Sequence, residues 1–106
     1  MTKIALILKN KTQPGKRDAV RALFDEHMAA RAMANPKQEV VIWCDDLQDD
    51  TVFYLFEIYT SQAALQENMQ PSEWFVAYMS ASSPLLVDGA YSMVMAAPRW
   101  GKGVSV

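Results

Sequence analysis

The chain has few of the residues on which most enzyme chemistry depends. It contains one cysteine and one histidine in 106 residues, so a zinc cluster, a disulfide framework and a nucleophilic triad all lack their usual side chains. The phosphate-binding patterns Gly-x-Gly-x-x-Gly and Gly-x-x-x-x-Gly-Lys-Ser/Thr are missing as well. We therefore predict no metal site and no nucleotide cofactor.

Strong charge of either sign is also missing. Ten Lys and Arg residues against twelve Asp and Glu residues give a net charge of −2, without a basic cluster of the kind that binds nucleic acid. The apolar run after Lys3 has only five residues, which is too short for a signal peptide or a membrane span. Together with the lone cysteine, this predicts a cytoplasmic protein with neither a nucleic-acid nor a membrane partner.

The most informative feature that is present is a set of four apolar runs without alternation. Each is as long as a strand and rich in β-branched or aromatic residues. They occupy residues 4–8, 40–44, 52–56 and 91–96. A strand with one face in water alternates apolar and polar residues, so these runs predict a sheet that needs cover on both faces.

Helical periodicity fills the gaps between the strands. Pro14 and Gly15 precede a helix predicted from Lys16 to about Ala34. Ser61 is predicted to cap a short helix that runs to about Met69. A second helical piece follows and carries an apolar face of Trp74, Phe75, Tyr78 and Met79.

The order of elements is β-α-β-β-α-β, with the last strand from about Gly89 to Ala96. This order predicts one α+β domain over residues 1–106, with a ferredoxin-like, four-stranded antiparallel sheet. Right-handed crossovers place both helical segments on one face. The other face is too apolar to stay bare, so we predict a homodimer through that face. Residues 97–106 are predicted to be a tail that is loose unless a partner holds it.

Three stretches resemble the antibiotic biosynthesis monooxygenase (ABM) family, whose members form dimeric α+β barrels. Residues 13–17 are similar to the family's Pro-Gly-Lys entry to the first helix. Residues 53–65 resemble an aromatic strand that contains a Glu and leads into a helix. Residues 71–75 are similar to the segment that starts the last helical piece, and the likeness spans about residues 3 to 96.

The resemblance implies a monooxygenase that oxidises a small aromatic phenol or quinol with O₂ and without a cofactor. In such chemistry the substrate supplies the electrons, and the protein favours its anion, orients it and excludes water. A related branch degrades haem, and this chain resembles that branch at Asn10. It has Asn68 and Tyr78 where that branch has a Trp and a haem-ligating His. Haem is thus the alternative cofactor, and a non-catalytic binding module with the same fold is the other alternative.

Three polar residues are candidates for catalysis. His27, on the apolar stripe of the first helix, would act as a base or is a satisfied core histidine. Glu57 interrupts an apolar strand and would act as a base with a raised pKa, or pairs with Arg21, Arg31 or the dimer partner. Asn10 would orient an oxygen at the strand end, or is a turn residue.

Aromatic residues are candidates for the substrate-binding wall, with ordinary core packing as the alternative. Trp74 would stack on the ligand and the Tyr78 hydroxyl would hold an oxygen. The full set is Trp43, Tyr59, Trp74, Phe75 and Tyr78. Six methionines could line an adaptable pocket or fill the core: Met28, Met33, Met69, Met79, Met93 and Met95.

Overall fold

Helices cover one face of a four-stranded antiparallel sheet in this computed structural model, which describes residues 2–106. The elements are β1 (Ile4–Lys11), α1 (Arg17–His27), α2 (Ala29–Ala34), β2 (Gln38–Asp45), β3 (Val52–Tyr59), α3 (Gln62–Asn68), α4 (Glu73–Ser82), a 3₁₀ turn (Ser83–Leu85) and β4 (Ser92–Ala96). The strand order is β2-β3-β1-β4. This is the predicted ferredoxin-like arrangement.

Alternate residues of β3 divide between the two faces of the sheet. Phe53 and Leu55 pack with Val20 and Phe24 of α1 and with Tyr78 of α4. Further along β3, Tyr59 packs with Leu6 of β1 and with Ala64 and Leu65 of α3. The core therefore lies between the sheet and its helices.

The predicted single helix over residues 16–34 is in fact two helices. The break lies at Met28, where φ is −113° and ψ is −38°. Helical hydrogen bonds continue across it, since the Met28 N–H bonds to the Phe24 carbonyl at 2.8 Å and the Ala32 N–H to the Met28 carbonyl at 3.0 Å. α1 is anchored by buried Val20 and Phe24, whereas α2 has no fully buried residue and packs on the core only through partly buried Ala29.

Two serines start the later helices. The Ser61 hydroxyl accepts from the Ala64 N–H at 3.1 Å, as predicted for a cap of α3. Ser72 does the same for α4 through the Phe75 N–H at 3.4 Å. β4 begins at Ser92 rather than at the predicted Gly89, because Gly89 has a φ of +77° and sits in a turn instead of a ladder.

The sheet face away from the helices, here called the far face, is apolar across all four strands. The strand register sets Val94, Ile7, Phe56 and Ile42 side by side in one row. Of these, Phe56, Ile42 and Val94 are between 38% and 52% exposed. A neighbouring row holds Ala96, Ala5, Ile58 and Val40. The bare apolar face expected from the sequence is therefore present, and the dimer itself stays a prediction.

The segment after β4, residues 97–106, contains neither helix nor strand. The Lys3 ammonium donates to the Ser105 carbonyl at 3.1 Å, while Trp100 is 83% exposed. Within the described chain, no helix combines the length and the apolar character needed to cross a bilayer.

Candidate functional site

A cavity of about 710 Å³ lies between the sheet and the helices. Leu6, Leu8 and Leu55 line it from the sheet, and Trp74 and Tyr78 line it from α4. The volume is in the range of pockets that bind small organic molecules. An apolar lining with a few polar groups is typical of such sites.

A buried polar network forms part of this cavity wall. Glu57 and Tyr59 are two residues apart on β3 and so point to the same face. The Tyr59 hydroxyl donates to Glu57 Oε1 at 2.6 Å. The Gln38 amide donates to Glu57 Oε1 at 2.7 Å and to the Tyr59 oxygen at 2.9 Å. Asn68, at the end of α3, donates to the Tyr59 oxygen at 2.9 Å.

The network leaves one oxygen of Glu57 available. Within residues 2–106, the hydrogen bonds to this carboxyl all go to Oε1. Tyr59 uses its single proton on that atom, and the Gln38 amide protons are shared between Glu57 and Tyr59. Oε2 of Glu57 is therefore the atom that a ligand in the cavity can reach.

Burial changes the acidity of the groups in this wall. It raises the pKa of Glu57, and the hydrogen bonds from Tyr59 and Gln38 partly oppose that rise. The pKa of Tyr59 is raised far above its ordinary value, mainly by burial and next by the negative charge of Glu57. Burial also raises the pKa of Tyr78 to about 12. Both tyrosines therefore stay neutral, and Glu57 is the group suited to exchange a proton.

Most of the predicted site residues meet at this cavity. Its wall includes Asn10, Glu57, Tyr59, Trp74, Phe75 and Tyr78. Asn10 and Glu57 are nevertheless not neighbours, because Glu57 pairs with Leu6 and Asn10 lies four residues further along β1. That offset corresponds to about 13 Å along the strand. The two polar groups thus mark opposite ends of the cavity.

His27 and Trp43 are not brought to the cavity. His27 ends α1 with its Nε2 3.6 Å from Glu26 Oε2, and the next residue, Met28, lines the wall instead. Trp43 stacks on Phe53 with ring centroids 3.9 Å apart and packs in the core. The geometry therefore gives neither side chain a contact with a ligand in this site.

The partners of Glu57 differ from those expected. A partner was expected in Arg21, Arg31 or the dimer partner. Arg21 pairs with Asp25 at 3.1 Å, and within the chain the Glu57 carboxyl is held by the neutral Gln38 and Tyr59. Sequence reasoning missed Gln38 as a partner. Only the strand register identifies Gln38 as a partner, because it sets Gln38 opposite Tyr59.

Methionines surround the apolar part of the cavity. Four of the six candidates line it: Met28, Met69, Met79 and Met93. Met33 is 89% exposed and, like Met95, lies outside the wall. Within residues 2–106, no three His, Cys, Asp or Glu side chains are grouped to hold a metal ion.

The sequence matches the model of one protein family. That family is described as antibiotic biosynthesis monooxygenase, and the match covers residues 3–78. No curated protein matches the chain.

Solved structures share the fold over nearly the whole chain. A candidate antibiotic biosynthesis monooxygenase from Chloroflexus aurantiacus J-10-fl superposes with a TM-score of 0.80 at 20% identity, over 98% of this chain and 100% of the other. One from Caulobacter crescentus CB15 gives 0.82 at 21% identity, over 93% and 92%. Rv0793 from Mycobacterium tuberculosis gives 0.77 at 24% identity, over 97% and 100%. At these identities the likeness establishes the fold.

Proposed function

Since the chain belongs to the antibiotic biosynthesis monooxygenase family, we propose that it oxygenates a small phenol or quinol with O₂ in the cavity beside Glu57. One observation carries this proposal. A carboxyl group with a raised pKa and one unpaired oxygen, Oε2, lies in a largely apolar cavity. Such a group is suited to bind a hydroxyl and remove its proton.

The aromatic wall supports a flat ligand. Trp74, Phe75 and Tyr78 line the cavity from α4. Aromatic side chains pack favourably against another ring in stacked or edge-on geometry. In our proposal the phenol ring lies against this wall and its hydroxyl donates to Glu57 Oε2.

Proton transfer to Oε2 then produces the phenolate. The raised pKa of Glu57 brings the carboxyl closer to the pKa of a phenol, and each unit of that rise lowers the cost of transfer by about 1.4 kcal/mol. The Tyr59 and Gln38 hydrogen bonds hold Oε1 in place, so the proton is accepted at the cavity-facing atom.

The phenolate supplies all the electrons for the reaction with O₂. One oxygen atom bonds to a ring carbon that carries hydrogen, opposite the phenolate oxygen in a phenol and adjacent to it in a quinol, and the other leaves as water. The substrate gives two hydrogens to that water, so a phenol and O₂ give a quinone and water, and a quinol and O₂ give a hydroxyquinone and water. The chain's own residues orient the anion and exclude water.

Haem was the alternative cofactor, and the residues of the cavity do not fit it. Haem iron is held by His, by a Cys thiolate or by tyrosinate, and Met serves as the second ligand beside a His. His27 and Cys44 lie outside the cavity wall, and burial raises the pKa of Tyr78 to about 12, which opposes its phenolate form. Mixing the protein with haemin and measuring the Soret band tests this directly.

We also propose that the active form is a homodimer through the far face. The row of Val94, Ile7, Phe56 and Ile42 offers a flat apolar surface on every strand. Two such sheets pack face to face at about 10 Å in known sandwiches. A second copy would remove both surfaces from water at once.

Oxygen uptake with a panel of naphthohydroquinones and anthrones tests the proposed reaction against the rate without protein. We expect the wild-type protein to accelerate uptake and Glu57→Gln, which keeps an acceptor oxygen for Gln38 and Tyr59, to lose that acceleration. The matched control is Glu67→Gln, which removes an exposed carboxylate paired with Lys37. Absence of uptake across the panel, or full activity in Glu57→Gln, contradicts the proposal. Binding without any product identifies a binding module instead.

A further inference from the structure

The Tyr59 hydroxyl, which holds Glu57, is itself held from two sides. Its oxygen accepts hydrogen bonds from the Gln38 amide and from the Asn68 amide, each at 2.9 Å. A phenol oxygen has one proton to donate and lone pairs with which to accept. Because the two amides occupy the accepting side of this oxygen, its proton is directed to Glu57 Oε1 at 2.6 Å.

The orientation of the Asn68 amide is fixed outside the cavity. Its Oδ1 accepts from the Asn35 amide at 3.4 Å, which turns its Nδ2 toward Tyr59. Asn35 lies between α2 and β2, and its own Oδ1 accepts from the Lys37 N–H at 3.0 Å. The turn before β2 therefore sets which end of the Asn68 amide faces Tyr59.

These hydrogen bonds form a chain in which every donor points toward Glu57. Hydrogen bonds in series polarise one another, so each one strengthens the next. Asn68 is half-buried and also borders a smaller cleft of about 360 Å³ on the other side of the cavity wall. A residue that does not touch Glu57 can thus act on it through Tyr59. From the outside inward, the members of the chain are Lys37, Asn35, Asn68, Tyr59 and Glu57.

We propose that Asn68 is a positioning residue, which directs the Tyr59 proton onto Oε1 of Glu57 and so keeps Oε2 free for the ligand. This inference rests on the proposed function, because it takes Oε2 as the atom that accepts the ligand's proton. Without the Asn68 amide, the Tyr59 oxygen keeps Gln38 as its donor, and its O–H is free to turn away from Glu57. The hydrogen bond to Oε1 would weaken, and ionisation of Glu57 would become less favourable.

Glu57 titrates separately from the other ionisable groups of the cavity. Burial raises the pKa values of three tyrosines in the wall, so they stay neutral while the carboxyl titrates: Tyr59 on β3, Tyr78 on α4 and Tyr91 before β4. Two charged residues of the wall, Lys11 and Asp88, lie toward the opposite end. Lys11 is five residues along β1 from the partner of Glu57, and the residue before Asp88 bonds to the Lys11 carbonyl at 2.8 Å.

The pKa of Glu57 in the protein without ligand tests the inference, measured by NMR after ¹³C labelling of the Glu carboxyl carbons. Asn68→Ala removes the donor and should raise this pKa by about half a unit to one unit. Asn68→Asp has nearly the same shape, but its carboxylate competes with Glu57 for the Tyr59 proton and repels its charge. The rise should therefore be larger, about one to two units. A merely structural role predicts the reverse order, because Ala leaves the larger void.

Gln70→Ala is the matched control. This exposed amide borders the same smaller cleft and donates to the Gln66 carbonyl at 3.3 Å, so its removal should leave the pKa of Glu57 unchanged. A pKa that stays constant in both Asn68 variants, or that rises more in Asn68→Ala than in Asn68→Asp, overturns the inference alone.

The pH dependence of oxygen uptake separates the inference from the proposed function. The acidic limb of kcat/KM should move to higher pH in Asn68→Asp, by the same amount as the pKa of Glu57. If the pKa rises as expected while the limb stays in place, Glu57 is not the base, and the proposed function is overturned. The rise in the pKa would still support the positioning of the Tyr59 proton by Asn68.

Discussion

Removal of the Tyr59 hydroxyl tests how the cavity sets the acidity of Glu57. Tyr59 is 1% exposed, and its oxygen takes part in three hydrogen bonds, with Glu57, Gln38 and Asn68. Tyr59→Phe keeps the ring that packs on Leu65 and removes only this oxygen. Glu57 Oε1 would then keep the single hydrogen bond from Gln38.

The size of the effect follows from the lost hydrogen bond. A hydrogen bond to a charged group contributes about 1.5–3 kcal/mol, and one pKa unit corresponds to about 1.4 kcal/mol. The pKa of Glu57, already raised by burial, should therefore rise by about one to two further units in the variant.

The same shift has a defined sign in stability. A carboxyl whose pKa is raised by folding contributes stability below its unfolded pKa and loses it as the pH rises through its folded pKa. Tyr59→Phe should therefore show a small loss at low pH, from the unpaired Asn68 amide. The loss should grow by about 1.5–3 kcal/mol once Glu57 is ionised in both proteins.

Two measurements check this expectation. NMR of protein labelled with ¹³C at the Glu side-chain carboxyl carbons gives the pKa of Glu57, and urea unfolding at several pH values gives the free energy. Tyr54→Phe is the control, since the Tyr54 hydroxyl donates to Asp46 at 2.7 Å and does not touch Glu57. A pKa of Glu57 that stays constant or falls in Tyr59→Phe would refute the reasoning.

Three other predictions follow from the fold. If the far face forms the dimer, the wild-type protein should sediment as a dimer at micromolar concentration. Phe56→Glu places a carboxylate in the centre of that face and should sediment as a monomer. A monomeric wild type contradicts the proposed dimer. Arg17 donates to the carbonyls of Asp46, Asp49 and Val52 at 3.0–3.1 Å. Arg17→Ala should therefore lower the free energy of unfolding by about 2–4 kcal/mol. A loss below about 1 kcal/mol, measured by urea unfolding, would contradict this prediction. Hydrogen bonds, the strongest of them from the Tyr54 hydroxyl, lower the pKa of Asp46 to about 2. The stability that ionised Asp46 contributes should therefore be lost as the pH falls from 3.8, the ordinary pKa of an Asp, toward 2. The urea midpoints of the wild type and Asp46→Asn should converge over that range.

The sequence was sufficient for the fold because local patterns and topology agree. The unbroken apolar runs and the order of elements predicted the sheet, and the structure adds a register that makes the far face apolar row by row. The break at Met28 was not predictable, because no Pro or Gly lies between residues 16 and 34 to indicate it. Met28 rather than His27 reaches the cavity, because Met28 lies four residues after Phe24 and four before Ala32, which also line it.

The site was only partly predictable, because its partners come from separate elements. Glu57 was conspicuous as a carboxylate in an apolar strand, and a charged partner was the ordinary expectation. Its actual partners are neutral: Gln38 at the start of β2 and Tyr59, which Asn68 holds from the end of α3.

The division of β3 between two surfaces makes correct strand pairing a condition for both the cavity and the far face. Glu57 and Tyr59 face the cavity, while Phe56 and Ile58 between and beside them face the other way. Pairing shifted by a single residue would exchange the two sets. It would place the Phe56 and Ile58 side chains in the cavity wall and the Glu57 carboxylate on the far face. Chains with such a register should therefore lose the polar network of the cavity and also disturb the apolar surface through which the dimer is proposed to form.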